Sequence, residues 1–522
     1  MLESWGGAGS VNPREADMGR FQVAGAGAWI VALVMALTAA PAFAAAERRA
    51  DIRLEGELSR QNHETYVELP FAVPPETGRL TVVFRHDGAG DRTTIDLGLR
   101  DPDRFRGWSG GARDRFTVAE TDATPAYLPG PLPAGTWNLV LGVPNLRPGV
   151  TTTYVAEIWL DPQGAPSVGL TEAPLRQGPA WWRGDPHAHS GHSDGSCRSR
   201  LGVRIPCPVF RVVETAAARG LDFIALTEHN AVSHTQALRE LQPYFDDILL
   251  IPGRELTTFQ GHANLLGLTA PLEFRLGAPG AADLDRVLDR AGALGATVSV
   301  NHPRMPSGEA CMGCGWQAQI DWSKVHAIEV LNGGAMAAFG GRAESPLSGV
   351  GFWEGLLDQG HRLTAIGGSD SHDPDRPVEA PGALGRPATV IHAASLSQSD
   401  LMAGLRAGRV FIDLGHPGLK RLDLEAAAAG RTALMGGALD APAGASIAFR
   451  VAIEGASGAR IEVVESGGVR ELLPAQAGEQ IDQTFTRRSD GQRRWLRINL
   501  RDESGSLLAI GNPIYLNWGD AP

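Results

Sequence analysis

The sequence has little of several features that mark common protein classes. Basic residues are the minority, 47 Lys and Arg against 59 Asp and Glu, for a net charge of −12. This balance argues against a nucleic-acid partner, which needs a basic face. Four cysteines in 522 residues are too few for a disulfide scaffold. Apart from one segment near the N-terminus, no long apolar run occurs, so we expect no membrane association once that segment is removed.

The one long apolar run, Val23–Ala46, predicts an export signal. Ala42-Phe43-Ala44 has the small-x-small form that a signal peptidase accepts, which gives a signal peptide over residues 1–44. A single membrane anchor is the alternative, because about 20 apolar residues span a bilayer. We favour cleavage and a periplasmic or secreted protein. The segment before Met18 is polar, so Met18 rather than Met1 is an alternative start.

The four cysteines fit an oxidising compartment. Cys197 and Cys207 flank a short basic loop, and Cys311 and Cys314 form a C-x-x-C pair. Disulfides within each pair are the favoured interpretation for an exported protein. The second pair closes a very small loop and is the less secure of the two. A structural zinc held by all four thiolates is the alternative.

Hydrophobic patterning predicts three domains after the signal. Short alternating runs between Pro and Gly turns predict a β-sandwich over residues 51–178. Apolar strands alternate with amphipathic helices over 179–414, which predicts a parallel sheet closed as a (β/α) barrel. Alternation returns over 415–522 and predicts a second β-sandwich. The tryptophans of the first sandwich can form a carbohydrate platform, although aromatic residues in strands are more often core.

Six short motifs each place a metal-binding side chain just after a predicted strand. They read Asp185-Pro186-His187-Ala188-His189, Thr227-Glu228-His229-Asn230, Gly253-Arg254-Glu255, Gly261-His262, Asn301-His302-Pro303 and Gly368-Ser369-Asp370-Ser371-His372. The carboxyl ends of parallel strands are where such barrels carry their chemistry. One such residue means little, but six in chain order predict a multinuclear metal site.

Spacing refines the ligand set. His187 and His189 are two residues apart, so both face the same side of an extended strand, and Asp370 and His372 repeat this spacing. Asp194 follows on the tight loop after the first pair and adds a carboxylate.

Two neighbouring residues have open roles. His192 is equally a ligand or a polar loop residue. Glu228 and His229 point to opposite sides of their strand, and His229 is the better ligand, which leaves Glu228 to support it. Glu255 follows a Gly that kinks the chain and can bridge two ions.

In this order the motifs resemble the signature of the polymerase and histidinol phosphatase (PHP) superfamily. The layout, with Trp182–His187, Gly261–Asn264 and Glu329–Gly333, is similar to the CehA/McbA-type metallohydrolases, which include carbamate-cleaving enzymes. The resemblance covers roughly residues 60–517. It implies a multidomain α/β and all-β chain, with a central distorted (β/α)7 PHP barrel flanked by N-terminal and C-terminal β-sandwich domains. In the second motif the family commonly has Asp where Glu228 stands.

The resemblance also implies two or three divalent ions, Zn, Mn or Fe, with ligands divided among three sites. The first site takes His187, His189, Glu255 and Asp370; the second shares Glu255 and takes His262 and His302; the third takes Asp194, His229 and His372.

The expected function is an exported metal-dependent hydrolase acting on a small-molecule substrate. Metal-activated hydroxide attacks a phosphoester or a carbamate, amide or ester bond. Glu255 and Asp370 take catalytic roles at the ions, and Arg304 holds an anionic substrate group or, alternatively, makes a surface ion pair. The rival function is a non-catalytic, metal-stabilised carbohydrate- or surface-binding protein. The oligomeric state is left open.

Overall fold

The computed structural model describes residues 48–171, 173–309, 311–416, 418–474 and 478–519. The predicted signal peptide lies outside the described residues. Within the described part, no helix has the length and apolar character needed to cross a membrane. The chain separates into Met1–Arg49 and a larger unit, Ala50–Pro522, which is the one described below.

The N-terminal region consists of two four-stranded antiparallel sheets, ordered β1-β8-β3-β6 and β2-β7-β4-β5. Their strands are β1 Ile52–Leu58, β2 Tyr66–Val73, β3 Thr77–His86, β4 Thr94–Arg100, β5 Phe105–Gly110, β6 Arg115–Ala119, β7 Gly135–Asn145 and β8 Thr152–Pro162. Leu80 and Val82 of one sheet and Leu97 and Leu99 of the other belong to one buried core. Their alternation along each strand follows from the period-two pleat.

The central region mixes strands and short helices. Its strands are β9 Ala180–Ala188, β10 Ser196–Arg198, β11 Arg204–Pro206, β12 Phe223–His229, β13 Leu249–Thr258, β14 Gly261–Leu266, β15 Thr297–Val300, β16 Ala327–Asn332, β17 Thr364–Gly368, β18 Ala388–Ala393 and β19 Val410–Asp413. Its helices are α1 Val209–Ala218, α2 His234–Leu241, α3 Leu284–Ala293, α4 Gly333–Ala338, α5 Val350–Gln359 and α6 Gln398–Arg406. Short 3₁₀ turns occur at Arg60–Asn62, Gly88–Asp91 and Trp322–Lys324.

Local sequence explains where these helices begin and end. In α3 the side chain of Asp283 caps the first turn by accepting from the Arg286 amide at 2.8 Å. Leu284, Val287, Leu288 and Ala291 are its buried residues, the spacing of one helical face. Ser397 caps α6 in the same way, by accepting from the Asp400 amide.

The strand order corrects the predicted barrel. The path runs β17-β16-β15-β14-β13-β12-β9-β18-β19, and β14 is antiparallel to both β13 and β15. In the described residues a tight turn at 259–260, with no crossover helix, joins β13 to β14. An isolated bridge between Ala188 and Ser371 joins the ends of β9 and β17. A central (β/α)7 barrel is therefore not supported, because the described chain is mostly β and its parallel order is interrupted.

Some of the C-terminal strands extend the same sheet, and others form a separate one. They are β20 Arg421–Ala428, β21 Arg431–Leu434, β22 Ala438–Leu439, β23 Ser446–Glu454, β24 Arg460–Glu465, β25 Val469–Leu472, β26 Gln480–Arg488, β27 Arg494–Arg501, β28 Leu507–Gly511 and β29 Ile514–Leu516. β19 pairs with β28, so the ladder continues from the central strands through β28, β27, β24 and β25. A separate sheet, β21-β20-β23-β26, shares a buried core with these strands.

Candidate metal centre

Three overlapping groups of side chains could each hold a metal ion. Within each group the donor atoms lie within 4.8 Å of one another. The groups are His187, His189, Glu255 and Asp370; Glu255, His262 and His302; and His189, Asp194, His229 and His372. The structure therefore brings together all nine residues predicted as ligands, in the predicted division, with His189 added to the third group.

The first group is built where β9 meets β17. His187 and His189 lie two residues apart, and their ring centroids are 5.2 Å apart. The Asp370 amide donates to the His187 carbonyl at 2.8 Å, and the His189 amide donates to the Ser371 carbonyl at 3.0 Å. These bonds hold Asp370 Oδ1 3.3 Å from His187 Nε2 and 3.0 Å from His189 Nε2.

Glu255 joins the groups through its two oxygens. It lies in β13 and is fully buried. Oε1 is 3.2 Å from His262 Nδ1 and 3.2 Å from His302 Nε2, whereas Oε2 is 3.4 Å from His187 Nε2. Burial alone would raise the pKa of Glu255, but the facing imidazoles, His187 first, hold that pKa well below its ordinary value. The carboxylate is therefore ionised, with one oxygen toward each of two candidate ligand groups.

The third group faces solvent. The exposed fractions of its side chains are 58% for Asp194, 35% for His372 and 28% for His229. Burial alone would lower the pKa of His372, but contact with Asp194, 3.2 Å away, raises it to about 9. Burial alone would raise the pKa of Asp194, but its hydrogen bond to His372 lowers that pKa to about 2. The third group is therefore the part of the cluster that solvent reaches most easily.

Glu329 contacts two of the histidines, the ring of His187 and the backbone amide of His302. Its Oε1 lies 2.9 Å from His187 Nδ1, which turns His187 Nε2 toward Glu255. Its Oε2 accepts from the His302 amide at 2.9 Å and from Asn332 Nδ2 at 3.0 Å. From sequence alone, Glu329 and Asn332 are expected at a strand end, where they either contact substrate or support the ligands. Such carboxylate–histidine pairs fix the ring orientation of a metal ligand.

Three further polar residues support the site. Asn301 Nδ2 donates to Glu255 Oε1 at 3.0 Å, a role that its Asn-His-Pro motif does not reveal. Asp185 is fully buried, and its Oδ1 accepts from the Ser369 amide at 3.1 Å, which ties β9 to β17. Glu228 accepts from the Ser190 amide at 3.0 Å, so the longer acid at this position fastens the loop after β9.

The backbone is strained at the ends of three strands. Asn230, His302 and Asp370 have φ of 50°, 27° and 52°, in the left-handed region that non-glycine residues seldom adopt. They lie just past the ends of β12, β15 and β17, and His302 and Asp370 are themselves predicted ligands. Strain of this kind persists where surrounding contacts over-determine the backbone, and it concentrates at functional sites.

Gly368 is the glycine that the site requires. A Cβ at this position would lie 2.5 Å from Glu329 Oε1 and 2.6 Å from His187 Cβ. Any larger residue would displace the carboxylate that orients His187. The Gly of the Gly-Ser-Asp-x-His motif is thus explained by close packing.

Two residues with open or catalytic assignments lie outside the groups. His192 Nδ1 is 2.8 Å from Ser233 Oγ, and His192 is in none of the groups found among the described residues. Arg304 is exposed and lines a cavity of about 680 Å³ together with Arg470 and Arg497. No predicted ligand lines that cavity. The suggested contact of Arg304 with substrate remains a prediction.

The segment Gly191–Gly195 fits the Gly-x-Ser-x-Gly pattern of serine hydrolases. It forms turns that lead into β10, whereas the nucleophile elbow needs a following helix. Ser193 Oγ donates to Glu228 Oε2 at 2.5 Å and is held by that contact. The pattern is therefore a structural turn here.

The cysteines form two separate disulfides, Cys197–Cys207 and Cys311–Cys314, with Cα–Cα distances of 4.9 and 5.7 Å. Among the described residues, no metal-binding group contains cysteines from both pairs, so a zinc held by all four thiolates is not supported.

The tryptophans of the N-terminal sheets divide between core and surface. Trp137 is fully buried, whereas Trp108 is half-buried against Tyr66.

Comparison with known proteins gives a distant structural likeness. No family model matches the sequence, and no curated protein matches it. One similar solved structure is a two-domain protein containing a predicted PHP-like metal-dependent phosphoesterase, from Bacteroides vulgatus ATCC 8482. The two are 18% identical with a TM-score of 0.35, over 67% of this chain and 97% of the other. At this level of likeness, function has to be argued from the site itself.

Proposed function

We propose that this chain is a metal-dependent hydrolase of the PHP type, with sites for two or three divalent ions. The observation that carries the proposal is the position of Glu255, one oxygen of which faces His262 and His302 while the other faces His187. A buried carboxylate between imidazole groups is the arrangement of a bridging ligand in a multinuclear centre.

The donor atoms fit divalent transition ions. Imidazole suits Zn and Fe, and carboxylate suits Mn. His187 Nε2 is buried and makes no hydrogen bond, although it faces Glu255 and Asp370. A buried polar atom without a partner is costly unless something binds it, and a metal ion removes that cost.

Ions held in this centre would lower the pKa of bound water and polarise a substrate oxygen. The chain's own residues do the rest. Glu329 keeps His187 turned inward, and Asn301 fixes Glu255 Oε1. The half-exposed Asp194 and His372 leave the third group open to solvent and substrate.

We propose a phosphoester, or a carbamate, amide or ester, as the bond cleaved. Both kinds place negative charge on an oxygen in the transition state, which metal ions stabilise. We also propose that the protein is exported, on the basis of the apolar N-terminal run and the paired cysteines.

The test uses purified mature protein freed of metal by chelation and then reloaded with Zn, Mn or Fe. Turnover of p-nitrophenyl phosphates, naphthyl carbamates and simple ester and amide substrates is measured against His187→Ala/His189→Ala. We expect metal-dependent turnover in one class and none in the double variant. Metal binding without turnover on any panel, combined with glycan binding, would favour the non-catalytic alternative.

A further inference from the structure

The C-x-x-C pair lies beside a predicted ligand of the metal centre. Donor atoms of Cys311, Cys314 and His262 are all within 4.8 Å of one another, and Cys314 Sγ is 4.0 Å from His262 Nδ1. Cys314 is fully buried, and Cys311 is partly buried. This group shares only His262 with the centre described above.

Its geometry suits a zinc ion. Zinc binds thiolate at about 2.3 Å and imidazole nitrogen at about 2.0 Å, so the sulfur and nitrogen donors of a tetrahedral site lie about 3.5 Å apart. Cys314 Sγ and His262 Nδ1 are 4.0 Å apart, so a small movement of the Cys314 side chain brings the two donors to that separation. A site with three protein ligands keeps a fourth position for water.

The loop that carries the cysteines is fastened to the hairpin that carries His262. His262 Nε2 lies 3.0 Å from the Met312 carbonyl, between the two cysteines in sequence. The Gln317 and Ala318 amides donate to the Gln260 carbonyl at 2.8 and 3.0 Å. The backbone of Gly313 packs directly on that of Thr258, because a Cβ on Gly313 would lie 2.0 Å from the Thr258 carbonyl oxygen. These contacts do not involve the sulfur atoms, so they hold the group together whether or not the sulfurs are bonded.

We propose that Cys311 and Cys314, when reduced, form with His262 a further site for a soft divalent ion such as Zn²⁺. A dithiol reductant opens the disulfide by exchange: its own sulfurs become a disulfide, and Cys311 and Cys314 become thiols. On binding the ion, both thiols release their protons to solvent and ligate as thiolates.

The site competes with the neighbouring ligand group. His262 Nδ1 is the nitrogen that faces Cys314 Sγ and also the one that faces Glu255 Oε1 at 3.2 Å. One nitrogen lone pair binds one ion, so occupation of the thiolate site withdraws His262 from Glu255 and His302. The thiol state of the loop thereby controls which ions the chain holds.

The test is spectroscopic and independent of hydrolysis. Full-length mature protein is stripped of metal, prepared in disulfide and reduced forms, and titrated with Co²⁺ under anaerobic conditions. We expect a thiolate-to-cobalt charge-transfer band only in the reduced form. Cys197→Ser/Cys207→Ser should keep the band, whereas Cys311→Ser/Cys314→Ser should lose it.

A second measurement needs no variant. In the reduced wild type, added Zn²⁺ should protect the Cys311 and Cys314 thiols from alkylation, as mapped by mass spectrometry. Absence of both the band and the protection in fully reduced protein would overturn the proposal. A band that keeps its intensity and affinity in His262→Ala would overturn the assignment of His262. Either result leaves the hydrolase proposal standing, because no measurement here depends on turnover.

Discussion

Replacement of Glu255 by Gln tests the candidate metal centre at the residue that contacts histidines of two ligand groups. The side chain keeps its size but loses its charge, and one oxygen becomes an amide nitrogen that cannot ligate an ion. In the wild type, imidazole nitrogens lie 3.0–3.5 Å from the Glu255 oxygens on both sides. Because the residue is fully buried, no water can replace the missing charge.

The size of the effect follows from these contacts. A hydrogen bond or ion contact to a charged group contributes about 1.5–3 kcal/mol, and Glu255 makes such contacts with ligands of two groups. Loss of about 3 kcal/mol from the activated state lowers kcat by roughly a hundredfold or more, since each 1.36 kcal/mol is tenfold. Metal content should fall as well.

Elemental analysis and turnover on the panel that the wild type accepts provide the assay. Glu273→Gln is the matched control, because Glu273 pairs with Arg275 away from the ligand groups. The control should retain wild-type metal content and kcat. A Glu255→Gln protein with full metal and full turnover would refute the bridging role and leave Glu255 as a support residue.

Four further predictions concern other parts of the molecule. Gly368→Ala should lower metal content, because its Cβ would meet Glu329 Oε1 at 2.5 Å, whereas Gly355→Ala, with open space, should leave metal content unchanged and slightly stabilise its helix. Burial lowers the pKa of His326 to about 4, so the unfolded chain binds more protons between pH 4 and 6.5. The contribution of His326 to stability should therefore fall by about 2 kcal/mol from pH 7 to pH 5, and denaturant titration of His326→Gln should show a smaller drop than the wild type. His187→Ala/His189→Ala should abolish metal-dependent turnover with nearly unchanged far-UV dichroism; a double variant with normal turnover would contradict the site. Wild-type protein as purified should contain about two to three transition-metal ions per chain, and less than one ion after reloading would count against the multinuclear centre.

Much of the candidate centre follows from sequence because its ligands are short-range signals. His187 and His189 share a face of one strand by backbone geometry alone. His302 and Asp370 come just after the ends of apolar strands, Glu255 follows the apolar first half of β13, and strand ends of one sheet meet at one edge. The sequence therefore predicts the nine side chains that the structure brings together in the three groups.

The supporting residues could not be predicted, since their roles depend on contacts across long stretches of chain. Glu329 meets His187, which lies 142 residues earlier, and Asn301 meets Glu255 across 46 residues. The same reason explains why the position of Cys314 beside His262 gave no signal in the sequence.

The sequence by itself indicated most of the strands and helices and the candidate ligand residues, because these depend on periodicity and motif order, whereas the division of the ligands into groups was implied by the family resemblance. Tertiary structure alone decided how the strands pair. Nothing local in β14 specifies that it runs antiparallel to both neighbours or that β19 continues into β28. Pairing is settled by which apolar faces are buried together, and that choice involves residues far apart in the chain.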